Sequence, residues 1–288
     1  MDWPHLDCLV EEALREDIGP GDVTTEVLIE EGVDTEGKIE AVAPAVVCGL
    51  PLAERVFRRL DAGAVFEAAV KEGDEVGAGE VVAIVRGGAR AVLSGERCAL
   101  NFLQWLSGIA TLTREFVKRT AGTGVRILDT RKTTPTLRAL EKYAVRVGGG
   151  ANHRMGLFDG ILVKNNHLAL MGSVGEVVRR ALARRPHNLV VQVEVGSVAE
   201  AEEAVAAGAQ ALLLDNMGSG EVAEVVRRVG GVVFLEASGG VGLEGVEEMA
   251  RTGVNAISVG RLTHSAPAAN FRLGVGGRWA EGERGRQL

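Results

Sequence analysis

From Val125 onward, short apolar runs alternate with longer amphipathic ones. The apolar runs are VRILDT, ILVKNNH, VVQVEVG, ALLLDN, VVFLEASGG and NAISVGR. From Lys164 on, their polar ends fall about 21 to 30 residues apart. The segments between them carry helix signals. Ser173 with Glu176 and Ser197 with Glu200 fit capping boxes, in which a hydroxyl and a carboxylate satisfy the first free N–H groups of a helix. Val222, Val225, Val226 and Val229 form an apolar stripe that Gly230-Gly231 can stop, and Pro186 and Gly208 end two further helices. Continuously apolar strands alternating with helices predict a parallel sheet covered by helices. No run has a weaker, half-exposed edge pattern, so a barrel is expected rather than an open sheet.

The first half reads differently. Leu6, Leu9, Val10, Ala13 and Leu14 predict an amphipathic helix over 5–17, broken by Gly19-Pro20-Gly21. Asp22-Val23-Thr24-Thr25 can cap or turn into the next segment. Residues 37–48 predict a strand and 51–60 a helix. Residues 69–86, AVKEGDEVGAGEVVAIVR, predict two short strands joined by glycine turns. They resemble half of a biotinyl or lipoyl carrier motif, but no lysine follows Lys71 for a hairpin tip, so the segment is expected to be scaffold. A long helix is predicted over 94–117. Leu100, Leu103, Ser107 and Ala110 form its buried stripe, with Arg97, Asn101 and Gln104 opposite. Ala121-Gly122-Thr123-Gly124 suggests a hinge, 268–273 a returning strand, and the remainder, GVGGRWAEGERGRQL, a mobile polar tail.

Composition narrows the function. The chain has 288 residues, 46% of them hydrophobic, and a net charge of −7. That acidity argues against a broad nucleic-acid backbone footprint, and 4% aromatic residues against a base-stacking surface. No apolar run is long enough to span a bilayer, and the acidic N-terminus lacks the core of a secretory signal. Cys8, Cys48 and Cys98 are far apart, which suits a reducing cytoplasm and offers no metal-ligand spacing.

Against that acidity, 129–167 holds seven Lys/Arg and three acids: DTRKTTPTLRALEKYAVRVGGGANHRMGLFDGILVKNNH. Arg138, Glu141, Lys142 and Arg146 sit at helical spacing and are expected to pair with one another. Arg131, Lys132, His153, Arg154 and Lys164 lie beside turns or strand ends, where barrels of this kind carry their chemistry. Planar guanidinium forks suit carboxylate and phosphate. The remaining strand ends supply Glu194, Asp215-Asn216, Glu236-Ala237-Ser238-Gly239-Gly240 and Gly260-Arg261. Carboxylates can hold Mg²⁺ or ribose hydroxyls, and glycine turns let backbone N–H groups approach a phosphate. Together these groups suit transfer of a sugar-phosphate unit to an anionic acceptor. A Schiff-base aldolase using Lys132 or Lys164 is an alternative reading of the same strand ends.

The 39-residue stretch closely resembles quinolinate phosphoribosyltransferases. So do EDIGPGDVTTEVL, GERCALNFLQWLSGIATLT, VEVGSVAEAEEAVAAGAQALLLDNM, EASGGV and VGRLTHSAPA, which together span nearly the whole chain. Thr136, Val147, Ala151 and Asn165 depart from the commonest family residues, none at a charged ligand position. The resemblance implies an α/β fold with an N-terminal α/β open-faced sandwich (1–112 and 267–288) and an incomplete parallel α/β barrel (113–266). It implies a cytoplasmic homodimer or higher oligomer acting on quinolinate and phosphoribosyl pyrophosphate with Mg²⁺. It implies that Arg97 reaches the neighbouring subunit's site to help bind quinolinate. Arg131, Lys132, His153, Arg154 and Lys164 are implied around the substrate carboxylates and phosphates, with Lys132, Glu194 and Asp215 as catalytic groups. Glu194 and Asp215 are implied at the ribose and Mg²⁺, and Ser238, Gly239, Gly240 and Gly260 at the phosphate end. A relative of the same fold using nicotinate as acceptor is the nearest alternative.

Overall fold

The computed structural model describes residues 6–276; His5, the first residue of the expected N-terminal helix, and the tail from residue 277 lie outside the described residues. The chain divides into two units, one formed by residues 1–111 and 267–288 and the other by 112–266.

The first unit begins with α1 (Leu6–Ile18), which buries Leu6, Val10 and Leu14 at a spacing of four. Helix α2 (Val23–Leu28) follows, with Asp22 as its N-cap accepting from the Thr25 backbone N–H at 3.0 Å. The strand expected over 37–48 is two strands. β1 (Asp34–Ala41) and β2 (Ala45–Val46) belong to different sheets, because the chain turns at 42–44, where Pro44 has no N–H to continue a ladder.

Helix α3 (Leu50–Leu60) has Pro51 in its first turn. Its N-terminal Gly49 and Leu50 N–H groups are met from afar by the Glu72 carboxylate at 2.9–3.1 Å. Strand β3 (Val65–Ala68) has no apolar alternation and was not predicted; β4 (Glu75–Val76) and β5 (Val81–Gly88) complete this stretch. Helix α4 (Ala89–Arg119) is 31 residues long. Leu100, Leu103, Ser107 and Ala110 are all buried along it. The opposite stripe is split: Arg97 and Asn101 are exposed, whereas Gln104 donates to the Phe271 carbonyl at 2.8 Å. Strand β12 (Phe271–Val275) pairs antiparallel with β1, so Gly274 and Val275 belong to the sheet and not to the tail. The four-stranded order is β12-β1-β5-β3.

The boundary between the units falls inside α4, between Thr111 and Leu112. The Gly122 and Gly124 turn is thus internal to the second unit. That unit alternates β6 (Arg126–Leu128), α5 (Arg138–Val147), β7 (Ile161–Val163), α6 (Asn165–Met171), α7 (Val174–Arg184), β8 (Val191–Val195), α8 (Val198–Ala206), β9 (Ala211–Asp215), α9 (Ser219–Val229), β10 (Phe234–Ser238), α10 (Val246–Ala250), β11 (Ala256–Ser258) and α11 (Arg261–His264). Ser173 and Ser197 cap α7 and α8 as their spacing predicts. All six strands run parallel in the order β6-β11-β10-β9-β8-β7. Val191, Val193, Val195, Leu212 and Leu214 are fully buried, each worth roughly 1.5–3 kcal/mol of transfer free energy. The barrel is incomplete, with β6 and β7 as its edges. Residue Ala151 partly covers the β6 edge, donating to the Ile127 carbonyl at 2.8 Å and accepting from the Asp129 N–H at 3.2 Å.

Candidate active site

A cavity of about 750 Å³ opens at the C-terminal ends of the parallel strands. β6 leads into Thr130, Arg131 and Lys132, β7 into Lys164, β9 into Asp215 and Asn216, β10 into Ser238, Gly239 and Gly240, and β11 into Gly260 and Arg261. His153 and Arg154 complete the cationic wall.

The pairing expected within α5 does not occur. Lys142 is 1% exposed and turns inward to the buried carboxylate of Asp129. Asp129 also accepts from the Asn152 side chain at 2.5 Å and the His153 N–H at 2.8 Å, while Lys142 donates to the His153 carbonyl at 2.9 Å. Glu141 is buried and accepts from both the hydroxyl and the N–H of Thr134, at 2.7 and 3.1 Å. Arg138 donates to the Thr133 hydroxyl at 2.8 Å and the Met155 carbonyl at 3.0 Å. Arg146 stacks its guanidinium 6.0 Å from the Tyr143 ring centre. Helix α5 therefore braces the loops that carry Arg131, Lys132, His153 and Arg154; desolvation makes each inward charge find a fixed partner rather than a mobile neighbour.

Arg154 donates to the Gly160 carbonyl at 2.8 Å. Burial, and then the charge of Arg131, pull its pKa below the ordinary guanidinium value. The Nε groups of both Arg131 and Arg154 are buried without a hydrogen-bond partner among the described residues. Like charges brought together with unused buried donors define an anion site. Lys132 is fixed through its backbone, donating to the Thr130 hydroxyl at 3.0 Å and accepting from the Thr263 hydroxyl at 2.7 Å.

Asp215 faces the cavity and accepts from the Asn216 amide at 2.9 Å. Asn216 itself has φ +54, and its N–H donates to the Ser238 carbonyl at 2.9 Å. Gly239 (φ +99) presses on that turn: an added Cβ would lie 2.2 Å from Asn216 Oδ1 and 2.8 Å from its backbone nitrogen. Only glycine fits there. At Gly260 a Cβ would come within 3.1 Å of Lys132 Cδ.

Arg131, Lys132, His153, Arg154, Lys164, Asp215, Ser238, Gly239, Gly240 and Gly260 thus line one cavity. Glu194 does not line it; it lies 6% exposed behind Lys164, whose ammonium it accepts at 2.8 Å. Arg97 belongs to the first unit and is not a lining residue. Among the described residues no group of three or more His, Cys, Asp or Glu side chains is placed to hold a metal ion. Asp215, a half-buried carboxylate on the cavity wall, is a group that could hold a hard cation such as Mg²⁺.

Glu236 and Arg261, strand-end groups to which the sequence gives no individual role, also line the cavity, as do Ser258, His264 and Ser265, which were not among the expected site residues. No sequence signal marks His264 and Ser265, because they arrive one helical turn after β11.

The incomplete parallel barrel, with guanidiniums, ammoniums and two carboxylates converging on its strand ends, defines a class of enzyme that handles polyanionic substrates. The family models for the N-terminal and C-terminal domains of quinolinate phosphoribosyl transferase match residues 22–107 and 109–274. A probable nicotinate-nucleotide pyrophosphorylase (carboxylating) of Bacillus subtilis is 41% identical over 96% of this chain and 95% of its own length. A quinolinate phosphoribosyltransferase (decarboxylating) of Nicotiana tabacum is 38% identical over 91% of this chain and 80% of its own. The solved structure of the Francisella tularensis nicotinate-nucleotide pyrophosphorylase superposes with a TM-score of 0.91 at 37% identity, covering 96% of this chain and 98% of that one. This chain belongs to the quinolinate phosphoribosyltransferase family.

Proposed function

We propose that this enzyme transfers the phosphoribosyl group of phosphoribosyl pyrophosphate to quinolinate with loss of CO₂, giving nicotinate mononucleotide and pyrophosphate for NAD biosynthesis. The observation that carries the reading is the half-buried Arg131 and Arg154 pair, each with a buried Nε that has no partner among the described residues, beside Lys132 and Lys164. A dicarboxylate uses those donors; a monocarboxylate leaves some of them unpaired, at a cost of several kcal/mol.

In this reading Arg131, Lys132, His153, Arg154 and Lys164 hold the two carboxylates and the phosphates. Ser238, Gly239, Gly240 and Gly260 form the phosphate end. The pyridine nitrogen attacks the anomeric carbon as the bond to pyrophosphate breaks. Positive charge develops on the ribosyl ring, and Asp215 on the cavity wall stabilises it, while Glu194 acts only through its ion pair with Lys164. The ring nitrogen of the adduct is cationic, so it accepts the electron pair left at C2 when CO₂ departs; C2 then takes up a proton. Mg²⁺ supplies charge neutralisation to the leaving pyrophosphate. Asp215 is the lining carboxylate suited to hold it, and Glu194 would do so only by giving up Lys164.

The enzyme is a cytoplasmic homodimer or larger assembly in this proposal, with Arg97 completing the neighbouring subunit's site. Three observations support that. Arg97 is exposed, Val23, Val27 and Leu28 on α2 are more than 70% exposed, and the cysteines are free thiols. No described helix is long and apolar enough to cross a membrane.

The deciding experiment is turnover with phosphoribosyl pyrophosphate, Mg²⁺ and either quinolinate or nicotinate. Nicotinate mononucleotide and CO₂ from quinolinate alone are expected. Turnover of nicotinate without CO₂ would overturn the acceptor assignment. Mixing Arg97→Ala subunits with Lys132→Ala subunits should restore activity if Arg97 acts across an interface.

A further inference from the structure

Every polar group of His153 except one already has a fixed partner. Its backbone N–H is held by Asp129 and its carbonyl by Lys142. Ring Nδ1 accepts from the Arg154 N–H at 2.7 Å. A backbone N–H can only donate, so Nδ1 carries no proton, and the neutral ring bears its proton on Nε2. That nitrogen faces Glu236 Oε2 at 3.4 Å.

Glu236 is the other half of the arrangement. It is 2% exposed and sits mid-strand in β10, on the cavity wall. Its Oε2 accepts from the Gln192 amide at 2.8 Å. Its Oε1 is buried with no partner among the described residues. A buried carboxylate in an anion site opposes the ligand's charge, so its presence needs a purpose that apolar packing would not serve. The Glu236 carboxylate is thus fixed by Gln192 and directed at one edge of the imidazole.

We propose that Glu236 is a positioning residue: with the Arg154 N–H it holds His153 as the neutral Nε2–H tautomer, that proton directed at Glu236, and fixes the ring plane that the acceptor meets. Both ring nitrogens are then engaged, and His153 is not a general base. Gln192 serves Glu236 in the same way from β8. The assignment rests on the proposed acceptor only for its kinetic consequence; the tautomer follows from the protein alone.

Two measurements test it. In the first, the enzyme labelled with ¹⁵N-histidine is examined by long-range ¹H–¹⁵N NMR without substrate, and the His153 signals are identified by their loss in His153→Asn. An Nε2–H tautomer near neutral pH is expected; an Nδ1–H tautomer or an imidazolium would overturn the proposal, whatever the enzyme's substrate. In the second, Glu236→Gln should raise the quinolinate KM about tenfold and leave that of phosphoribosyl pyrophosphate within about twofold, and it should add nothing in a His153→Ala background. Equal loss for both substrates, additive effects, or no change would show that Glu236 does not act through His153. A protein that turns over no quinolinate would defeat the acceptor reading, while the NMR result would still decide the tautomer.

Discussion

Lys142 and Asp129 form an ion pair with neither side chain in reach of solvent, and the pair grips the His153 backbone from both sides. Removing one partner leaves a buried charge uncompensated. Lys142→Met is expected to cost about 3–5 kcal/mol in urea unfolding, and the double variant with Asp129→Leu less than the sum of the singles. A loss under about 0.5 kcal/mol for the single variant would mean that water or another group replaces the ammonium.

Thr136 has φ +69, a left-handed conformation that a β-branched residue adopts only under strain. It follows Pro135 in the loop between Lys132 and α5. Thr136→Gly removes strain of about 1–2 kcal/mol and adds up to about 1 kcal/mol of unfolded-state entropy, so a midpoint that stays level or rises is expected. Thr136→Val should not exceed the parent. A clear fall for the glycine variant would show that the Thr136 hydroxyl, which donates to the Pro135 carbonyl at 2.6 Å, outweighs the backbone.

Gly239 and Gly240 both have positive φ but differ in their surroundings. An added methyl at Gly239 strikes Asn216, whereas nothing lies within 4 Å of one at Gly240. Gly239→Ala should lower kcat/KM at least about tenfold by shifting the Asp215-Asn216 turn and should destabilise through its clash with Asn216, whereas Gly240→Ala should cost in stability only its backbone strain of about 1 kcal/mol. Matched losses of stability would contradict the assignment of Gly239 to close packing.

Asp22 caps α2, and hydrogen bonds from the Thr25 side chain, the Thr25 N–H and then Ser94 hold its carboxyl below its unfolded value of 3.8. A depressed acid stabilises the fold above the unfolded pKa and loses that contribution as pH falls through the folded one. Asp22→Ala should therefore cost about 1 kcal/mol near neutral pH, with the gap to the parent closing below about pH 3.8. A gap that does not narrow on acidification would show that the carboxylate's charge plays no part in the cap.

Much of the architecture was written locally. Apolar runs bounded by Asp129, Lys164, Glu194, Asp215, Glu236 and Gly260 mark six parallel strands, because a strand buried on both faces must be apolar until it ends. Ser173 and Ser197 declare their helices by short-range hydrogen bonds. The placing of charge beside turns likewise made Arg131, Lys132, His153, Arg154 and Lys164 legible as a group. Tertiary structure alone decided their partners. Lys142 and Glu141 look like surface charges at helical spacing, yet both turn inward, because the loops of Asp129 and Thr134, distant in direction though near in sequence, fold back over α5. Glu194 reads as one more strand-end acid, but the neighbouring strand brings Lys164 to it and takes it from the cavity wall. His264 and Ser265 enter the site because the barrel converges strands and helix turns that periodicity cannot relate. Periodicity records which face of an element is buried; it does not record which element comes to meet it, and electrostatic partnership depends on that meeting.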